Sequence, residues 1–570
     1  MTVNPSYPNL VEAEGESPAS LLRLANGLGI MPGNPPAIEL PGTELPGTEL
    51  PGTELPGTEL PMVDLPGTEL LDSEELWLTD EILFNHQRCR RRSYLELYED
   101  YRLRDRPSDY LLKLRQDSIA NQTAVLAEQP PALLPMYPRH DWAAGAAATL
   151  ELMHQGVDRI SQGVLKASLG EGMNLVTRPN LMIKQPGYSV FGDWVYEPTD
   201  IRLGKRPKMD YQIMAAYHAY VLAAVQGAWS EHSWLILRQR GDYAVDLVEL
   251  LPRLQDLLQD CIQTLAQFSD HSLPEEPEVF IAHNRCDLCP WLKHCYSVAQ
   301  AERHLSLLPG VTSSRYVHLK AHDLTTVESL AIANPQKLEL LPGFGPHVAH
   351  KLVKQAQATL QNRAIAALAE PALPLIPIHE LPTAPIELYF DIEAAPEQNL
   401  IYLHGVLVVD RQATTEVFHP MLAERQEDEG LVWEKFLDLV WQYPDAPIFH
   451  FCPYEVQSVK RMAELYGTPR HRVEPLLKRF VDLHERVTRV AVLPIESYAL
   501  KQIARWIGFD WRDAEANGAQ SICWYSQWLE TGDRAFLDLI LRYNEDDCRA
   551  TYWVKDWLVG FSNGAGEILR

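Results

Sequence analysis

Asp391 and Glu393 stand one residue apart in the stretch Leu388-Tyr389-Phe390-Asp391-Ile392-Glu393. In a strand, residues i and i+2 share a face, so both carboxylates point one way and their apolar neighbours the other. Like charges in a low-dielectric site repel unless something positive sits between them. The chemistry this pattern suggests is metal binding. Tyr543 and Asp547, at i and i+4, put a phenol and a carboxylate on one face of a helix. Glu455, at the end of His450-Phe451-Cys452-Pro453-Tyr454-Glu455, adds an acid where a strand runs into a helix. Together these residues make a metal and water site.

The elements that must position them can be read from the same region. Three strands come first, in "ELYFDIEAA", "IYLHGVLVVD" and "TTEVFHP". A helix follows in "LVWEKFLDLVWQY", then strand "APIFHF", helix "EVQSVKRMAELYG" and strand "RFVDLH". A last helix runs through "FLDLILRYNEDDCRATYWVKDWL" and carries Tyr543 and Asp547. The pattern is an α/β unit over residues 385–562.

On these residues, "FDIE", "HFCPYE" and "YNEDD" resemble the three motifs of the RNase H-like, DEDDy-type 3′→5′ exonucleases. The tyrosine subclass is marked by Tyr-x-x-x-Asp, matched by Tyr543 and Asp547. The second motif usually ends in Asp and here ends in Glu455; Asp482 in "FVDLH" is a rival that reads better as support for the core. The resemblance implies a mixed-sheet fold and two Mg²⁺ or Mn²⁺ ions, which suit all-oxygen ligands. It implies that Asp391 bridges both ions and that Glu393 and Asp547 hold the one that activates water. Glu455 then helps hold the second, and Tyr543 orients the attacking water. Phosphodiester hydrolysis by two ions roughly 4 Å apart fits such a set.

A second constellation precedes it. "CDLCPWLKHC" contains Cys286, Cys289 and Cys295, and Cys89 lies far upstream in "HQRCRRR". Four thiolates can hold zinc or an iron–sulfur cluster. One distant cysteine followed by a trio resembles the RecB-type nucleases with an iron–sulfur staple, which implies a [4Fe-4S] cluster, with zinc as the alternative. Between the cysteines, "RPNLMI", "EPTDIRLGKRPK" and "YQIMAAYHAY" resemble a PD-(D/E)xK restriction-endonuclease-like core. Asp200, Gln212 and Tyr217 match the pattern. Asn180 stands where its first Asp belongs and Arg202 where its Lys belongs, with Lys205 and Lys208 as substitutes nearby. Asn lacks a charged ligand and Arg stays protonated, so the expectation is an impaired or inactive nuclease that still binds DNA through basic side chains.

"LELLPGFGPHVAHKLVKQAQ" places a glycine-bearing turn between two helices. Gly343 and Gly345 permit positive φ, and Pro346 suits a helix start. Exposed N–H groups there can bind phosphate. The stretch resembles the helix-hairpin-helix motif, which implies a grip on the nucleic-acid backbone assisted by Lys351 and Lys354.

The 570 residues suffice for several domains, with 46% hydrophobic and 22% charged residues. A net charge of −27 argues against a surface coated with nucleic acid but not against a local basic groove. No apolar run reaches the roughly 18 residues of a membrane span, and the amino-terminal stretch lacks a basic and then apolar signal segment, so no membrane partner and a cytoplasmic location are expected. Residues 39–60 repeat Glu-Leu-Pro-Gly-Thr, whose Pro and Gly block helix and ladder alike. The expected organisation is α/β and multidomain. It comprises a disordered tail (1–74), a RecB-type PD-(D/E)xK-like domain (75–305), a helix-hairpin-helix (306–365), a Pro-rich linker (366–384) and the RNase H-like domain (385–562). The whole resembles RecB-like nucleases fused to an exonuclease domain. That implies a metal-dependent DNA nuclease acting 3′→5′ on single strands or ends, with a helicase as a possible partner. A non-catalytic nucleic-acid-binding scaffold and an RNA 3′-exonuclease are the alternatives.

Overall fold

Two sheet-based units share the chain, the first formed by residues up to 104 with 114–278, the second by 105–113 with residues from 279 onward. A computed structural model describes residues 76–564 except 171, 239, 266–273, 368–372 and 397. The pentapeptide tail and part of the Pro-rich linker lie outside the described residues. No helix among the described residues is long and apolar enough to cross a membrane.

In the first unit, strand β1 (Leu76–Thr79) runs parallel to β4 (Met173–Thr177), which pairs antiparallel with β3 (Leu165–Gly170). A five-stranded sheet has the order β2 (Arg159–Ser161), β5 (Leu181–Ser189), β6 (Gly192–Arg202), β7 (Trp234–Leu237) and β8 (Gly241–Ala244). Thr79 caps helix α1 (Asp80–Arg88), its Oγ1 accepting from the Ile82 amide at 3.2 Å, as a helix start at Thr79 requires. Helix α2 (Met209–Gln226) packs on β6 and β3 and is apolar nearly all round, so every residue from Ile213 to Leu222 is buried.

In the second unit, helix α3 (Gly345–Gln361) follows the hairpin turn. The α/β region then delivers the elements in the expected order. They are β9 (Ile386–Ala395), β10 (Leu400–Asp410), β11 (Thr415–Leu422), α4 (Glu429–Gln442), β12 (Ile448–His450), α5 (Tyr454–Leu465) and β13 (Phe480–Asp482). Three further helices complete it: α6 (Leu483–Val490), α7 (Gly518–Thr531) and the long α8 (Arg534–Ser562). The sheet order is β11-β10-β9-β12-β13, with the first three strands antiparallel and the last two parallel to β9. This is the mixed sheet expected, with its first strand in the middle.

Being central, β9 is covered on both faces. Leu388, Phe390 and Ile392 enter a core with Trp433, Phe436 and Met462 of α4 and α5. Tyr389 enters the opposite core, with Val554 and Leu558 of α8. Helix α8 starts at Asp533, whose carboxylate accepts from the Ala535 amide at 3.0 Å. Its buried positions include Leu537, Ile540, Asn544, Cys548, Thr551 and Lys555, the three- and four-residue spacing of one helix face. That face lies on β9 and β10.

Candidate functional site

The odd-numbered side chains of β9 meet α8, and their polar members differ along the strand. At one end Glu387 is fully buried, and its carboxylate takes the Lys555 ammonium at 2.7 Å and the Arg411 Nε at 2.7 Å. Four and six residues on, Asp391 and Glu393 face Asp547. One oxygen from each of these three acids lies within 4.8 Å of the others, and no other set of three His, Cys, Asp or Glu side chains among the described residues does so. Glu393 is buried, and Asp391 and Asp547 are partly buried. A register shift between Glu393 and Ala394 marks the end of regular pairing with β10, a place where sheets commonly re-aim side chains.

Burial and mutual repulsion set the proton affinities here. Burial, then the charges of Asp547, Glu393 and Glu455, push the Asp391 carboxyl well above the usual carboxylate range. Burial and Asp547 do the same to Glu393. Burial pushes Asp547 up to about 7, although the Trp511 indole N–H, donating to its Oδ1 at 2.7 Å, and the Tyr543 hydroxyl hold it back. Among the described residues no Lys or Arg forms an ion pair with any of the three. Three converging carboxylate oxygens with no ion-paired counter-charge fit a hard divalent cation completed by water.

Tyr543 shares the α8 ridge with Asp547 and lies within hydrogen-bonding reach of it; burial and the acids raise its phenol well above the ordinary range. Glu455 is buried in the first turn of α5, its carboxylate 3.4 Å from His450 Nδ1, and burial raises its pKa. Its charge reaches Asp391, but it stands outside the set of three. Asp482 acts on Glu455, whose pKa its charge helps to raise, and stands outside the set of three. Its Oδ1 accepts from the Cys452 and Glu485 amides, each at 3.2 Å, which ties the strand–helix junction and caps α6.

Reading the sequence for acids alone misses several neighbours. Asn544 donates to Asp391 Oδ2 at 2.7 Å. Ser521 of α7 lies within hydrogen-bonding reach of Glu393, and its Oγ is 2.8 Å from the Tyr402 hydroxyl. A sequence signal for a close approach there is Gly405, an isolated glycine inside a strand.

The first unit also gathers its expected residues, with a different outcome. Asn180 Oδ1 accepts from the Ile201 amide at 2.7 Å, so it organises the backbone beside Asp200. Arg202 pairs with Asp200 through Nε at 2.6 Å. Burial alone would raise the Asp200 pKa, but Arg202 and His218 hold it below the ordinary value. The Tyr217 hydroxyl is fully buried and donates to the Leu78 carbonyl at 2.7 Å, while Gln212 Nε2 donates to the Pro207 carbonyl at 2.7 Å. Tyr217 thus ties α2 to β1, and Gln212 Oε1 also accepts from the Tyr243 hydroxyl at 3.3 Å.

Cys89 joins two helices of the first unit. Cys286, Cys289 and Cys295 belong to the second, where Cys286 Sγ accepts from the Ala282 amide at 3.4 Å. No three cysteine sulfurs among the described residues come within 4.8 Å of one another.

In the hairpin, Gly343 and Gly345 adopt φ of +78° and +62°, the left-handed region that favours glycine. The two lysines behave otherwise than expected. Lys351 donates to the Thr488 carbonyl at 3.1 Å and Lys354 to those of Ala366 and Ala367 at 2.9 Å. Partial burial lowers both pKa values. A half-buried ammonium must find acceptors, and these find the chain's own backbone: Lys351 ties the hairpin helix to α6 and Lys354 ties it to the segment that follows it.

Residues 388–559 match the family model described as the RNase_H superfamily. No curated protein matches the chain. The matched stretch contains Asp391, Glu393, Glu455, Tyr543 and Asp547 and covers nearly all of the five-stranded sheet. The C-terminal domain is RNase H-like, and the match points to nuclease-type chemistry on a nucleic acid.

Proposed function

We propose that the RNase H-like domain is a metal-dependent 3′→5′ exonuclease acting on DNA. The observation that carries this reading is the cluster of Asp391, Glu393 and Asp547, three converging carboxylates that form no ion pair with Lys or Arg among the described residues, Lys501 acting on Asp547 only from a distance. Divalent ions, when bound, supply the charge that activates water and offsets the charge developing at phosphorus. Asp391, Glu393 and Asp547 would hold them, with Glu455 and its partner His450 beside Asp391. Tyr543, its phenol kept protonated by burial, serves to hold and orient the attacking water. The sequence pattern Tyr-x-x-x-Asp supports the exonuclease direction.

In the first unit Arg202 occupies the counter-charge position at Asp200, and this supports a domain that binds DNA without cutting it. The hairpin turn at Gly343 and Gly345 supports a backbone contact there. The spacing of Cys286, Cys289 and Cys295 supports thiolate ligation of an iron–sulfur cluster; absorbance near roughly 400 nm in protein purified without oxygen tests it.

The decisive experiment mixes the full chain with 5′-labelled single-stranded DNA or RNA in Mg²⁺, Mn²⁺ or EDTA, beside Asp391→Asn and Asp200→Asn. A metal-dependent ladder on DNA, lost in Asp391→Asn alone, is expected. A ladder on RNA alone transfers the reading to an RNA exonuclease. Tight binding without cleavage by the wild type makes the protein a scaffold.

A further inference from the structure

The strand acids must be held apart and aimed before any cation arrives, and a neutral residue stands where that can be done. Asn544 is fully buried in the face of α8 that meets β9. Its Nδ2 donates to Asp391 Oδ2 at 2.7 Å and lies within hydrogen-bonding reach of Glu393. Among the described residues its Oδ1 has no hydrogen-bond partner. Such an orphan is destabilising, and a leucine of similar size would avoid it.

The space for that oxygen is made by another strand. Gly405 lies opposite Asp391 in the antiparallel register of β9 and β10. A Cβ on Gly405 would sit 1.7 Å from Asn544 Oδ1 and 2.8 Å from its Cγ. Gly405 has an ordinary negative φ, so the glycine is there for room and not for backbone freedom. Turning the amide over would aim its oxygen at a carboxylate. The carbonyl end is therefore lodged against Gly405, and the N–H end is committed to the acids.

The same helix shows what a charged residue would do instead. Lys555 neutralises Glu387 outright at 2.7 Å. An amide donates hydrogen bonds and adds no charge. It fixes the carboxylates while their negative charge stays available to an external cation.

We propose that Asn544 is the positioning residue of the acidic centre, holding Asp391 and Glu393 at the spacing a divalent cation requires, with Gly405 as the gap that sets its orientation. This rests on the metal-dependent nuclease reading above. Outer partners of metal ligands are typically worth about 10–100-fold in metal affinity.

The test titrates Mn²⁺ into the full chain, reads free Mn²⁺ by electron paramagnetic resonance, and follows thermal unfolding in parallel. Asn544→Leu is expected to weaken Mn²⁺ binding by about tenfold or more with little change in Tm. Gly405→Ala leaves every polar group in place, displaces Oδ1, and is expected to weaken binding likewise. In Gly405→Ala/Asn544→Ala the clash with the amide is gone and the 3.0 Å approach to Phe418 Cε2 remains, so Tm should recover in part while affinity should not. Wild-type affinity in Asn544→Leu, or recovered affinity in the double variant, overturns the proposal and leaves the nuclease reading intact. A wild type with no saturable Mn²⁺ site overturns that reading, and the proposal with it.

Discussion

Asp200 and Asp391 are both strand carboxylates removed from water, and they differ in where the opposing charge comes from. At Asp200 it is built into the chain two residues away: Arg202 reaches the carboxylate at 2.6 Å, and His218 stands at 3.8 Å. At Asp391 the nearest charged groups are other acids, and the one hydrogen-bond donor from α8 is an uncharged amide. A buried ion pair satisfies its acid and closes the site. An uncompensated cluster is unstable alone and selects for a ligand. An acid's functional meaning thus lies in its counter-charge and not in its burial, since Asp200 is the more buried of the two.

The largest expected effect lies in activity. Asp391→Asn should lower metal-dependent cleavage by a factor on the order of 10³ without loss of thermal stability, because it removes a charge that repels the neighbouring acids and has no ion-paired partner among the described residues. Full cleavage in this variant would falsify the assignment of the centre. Asp200→Asn should do the reverse. Cleavage by the full chain should stay at the wild-type rate, while stability falls by about 3 kcal/mol because the Arg202 guanidinium loses its partner; urea unfolding measures this.

The two sites should also respond to pH with opposite sign. The folded-state pKa of Asp547, about 7, lies above its ordinary 3.8. Between those values the folded protein keeps a proton that the unfolded chain has released. Its contribution to stability is therefore greatest below about pH 4 and is lost as pH rises through about 7. Asp200 has a lowered pKa, so its contribution is present above the ordinary value and lost as pH falls through the folded one. Melting curves in EDTA from about pH 4.5 to 8 should show a smaller decline toward neutrality in Asp547→Asn than in wild type. Equal slopes would remove Asp547 from the account.

The smallest effect asks whether the built-in cation is all that separates the sites. In an Asp391→Asn/Asp547→Asn background, which disables the C-terminal centre, adding Arg202→Gln leaves Asp200 without its guanidinium. Millimolar Mn²⁺ should then raise Tm by about 2 °C, and should not do so when Arg202 is present. An equal response with and without Arg202 would break the contrast between the two acids.

Much of the C-terminal domain was legible because its signals are local. Alternation along Leu388–Glu393 assigns a face to each side chain, and the four-residue step from Tyr543 to Asp547 does so on a helix. The eight elements read from those periods all form. The lysines of the hairpin were misread for the converse reason. Lys351 and Lys354 look like exposed cations in a helical pattern, and only the packing of α3 beside Thr488 and Ala366 brings carbonyl acceptors to them.

The sequence by itself determined the residue types, the faces they occupy and the order of the strands and helices, because backbone geometry turns short-range spacing into direction. Tertiary structure alone decided which charges meet. It set Arg202 on Asp200, left Asp391, Glu393 and Asp547 with no ion-paired cation among the described residues, and lodged Asn544 in the gap at Gly405, 139 positions away in the chain. Electrostatic energy depends on distance through space and on the water removed along the way, and neither is a function of spacing along the chain.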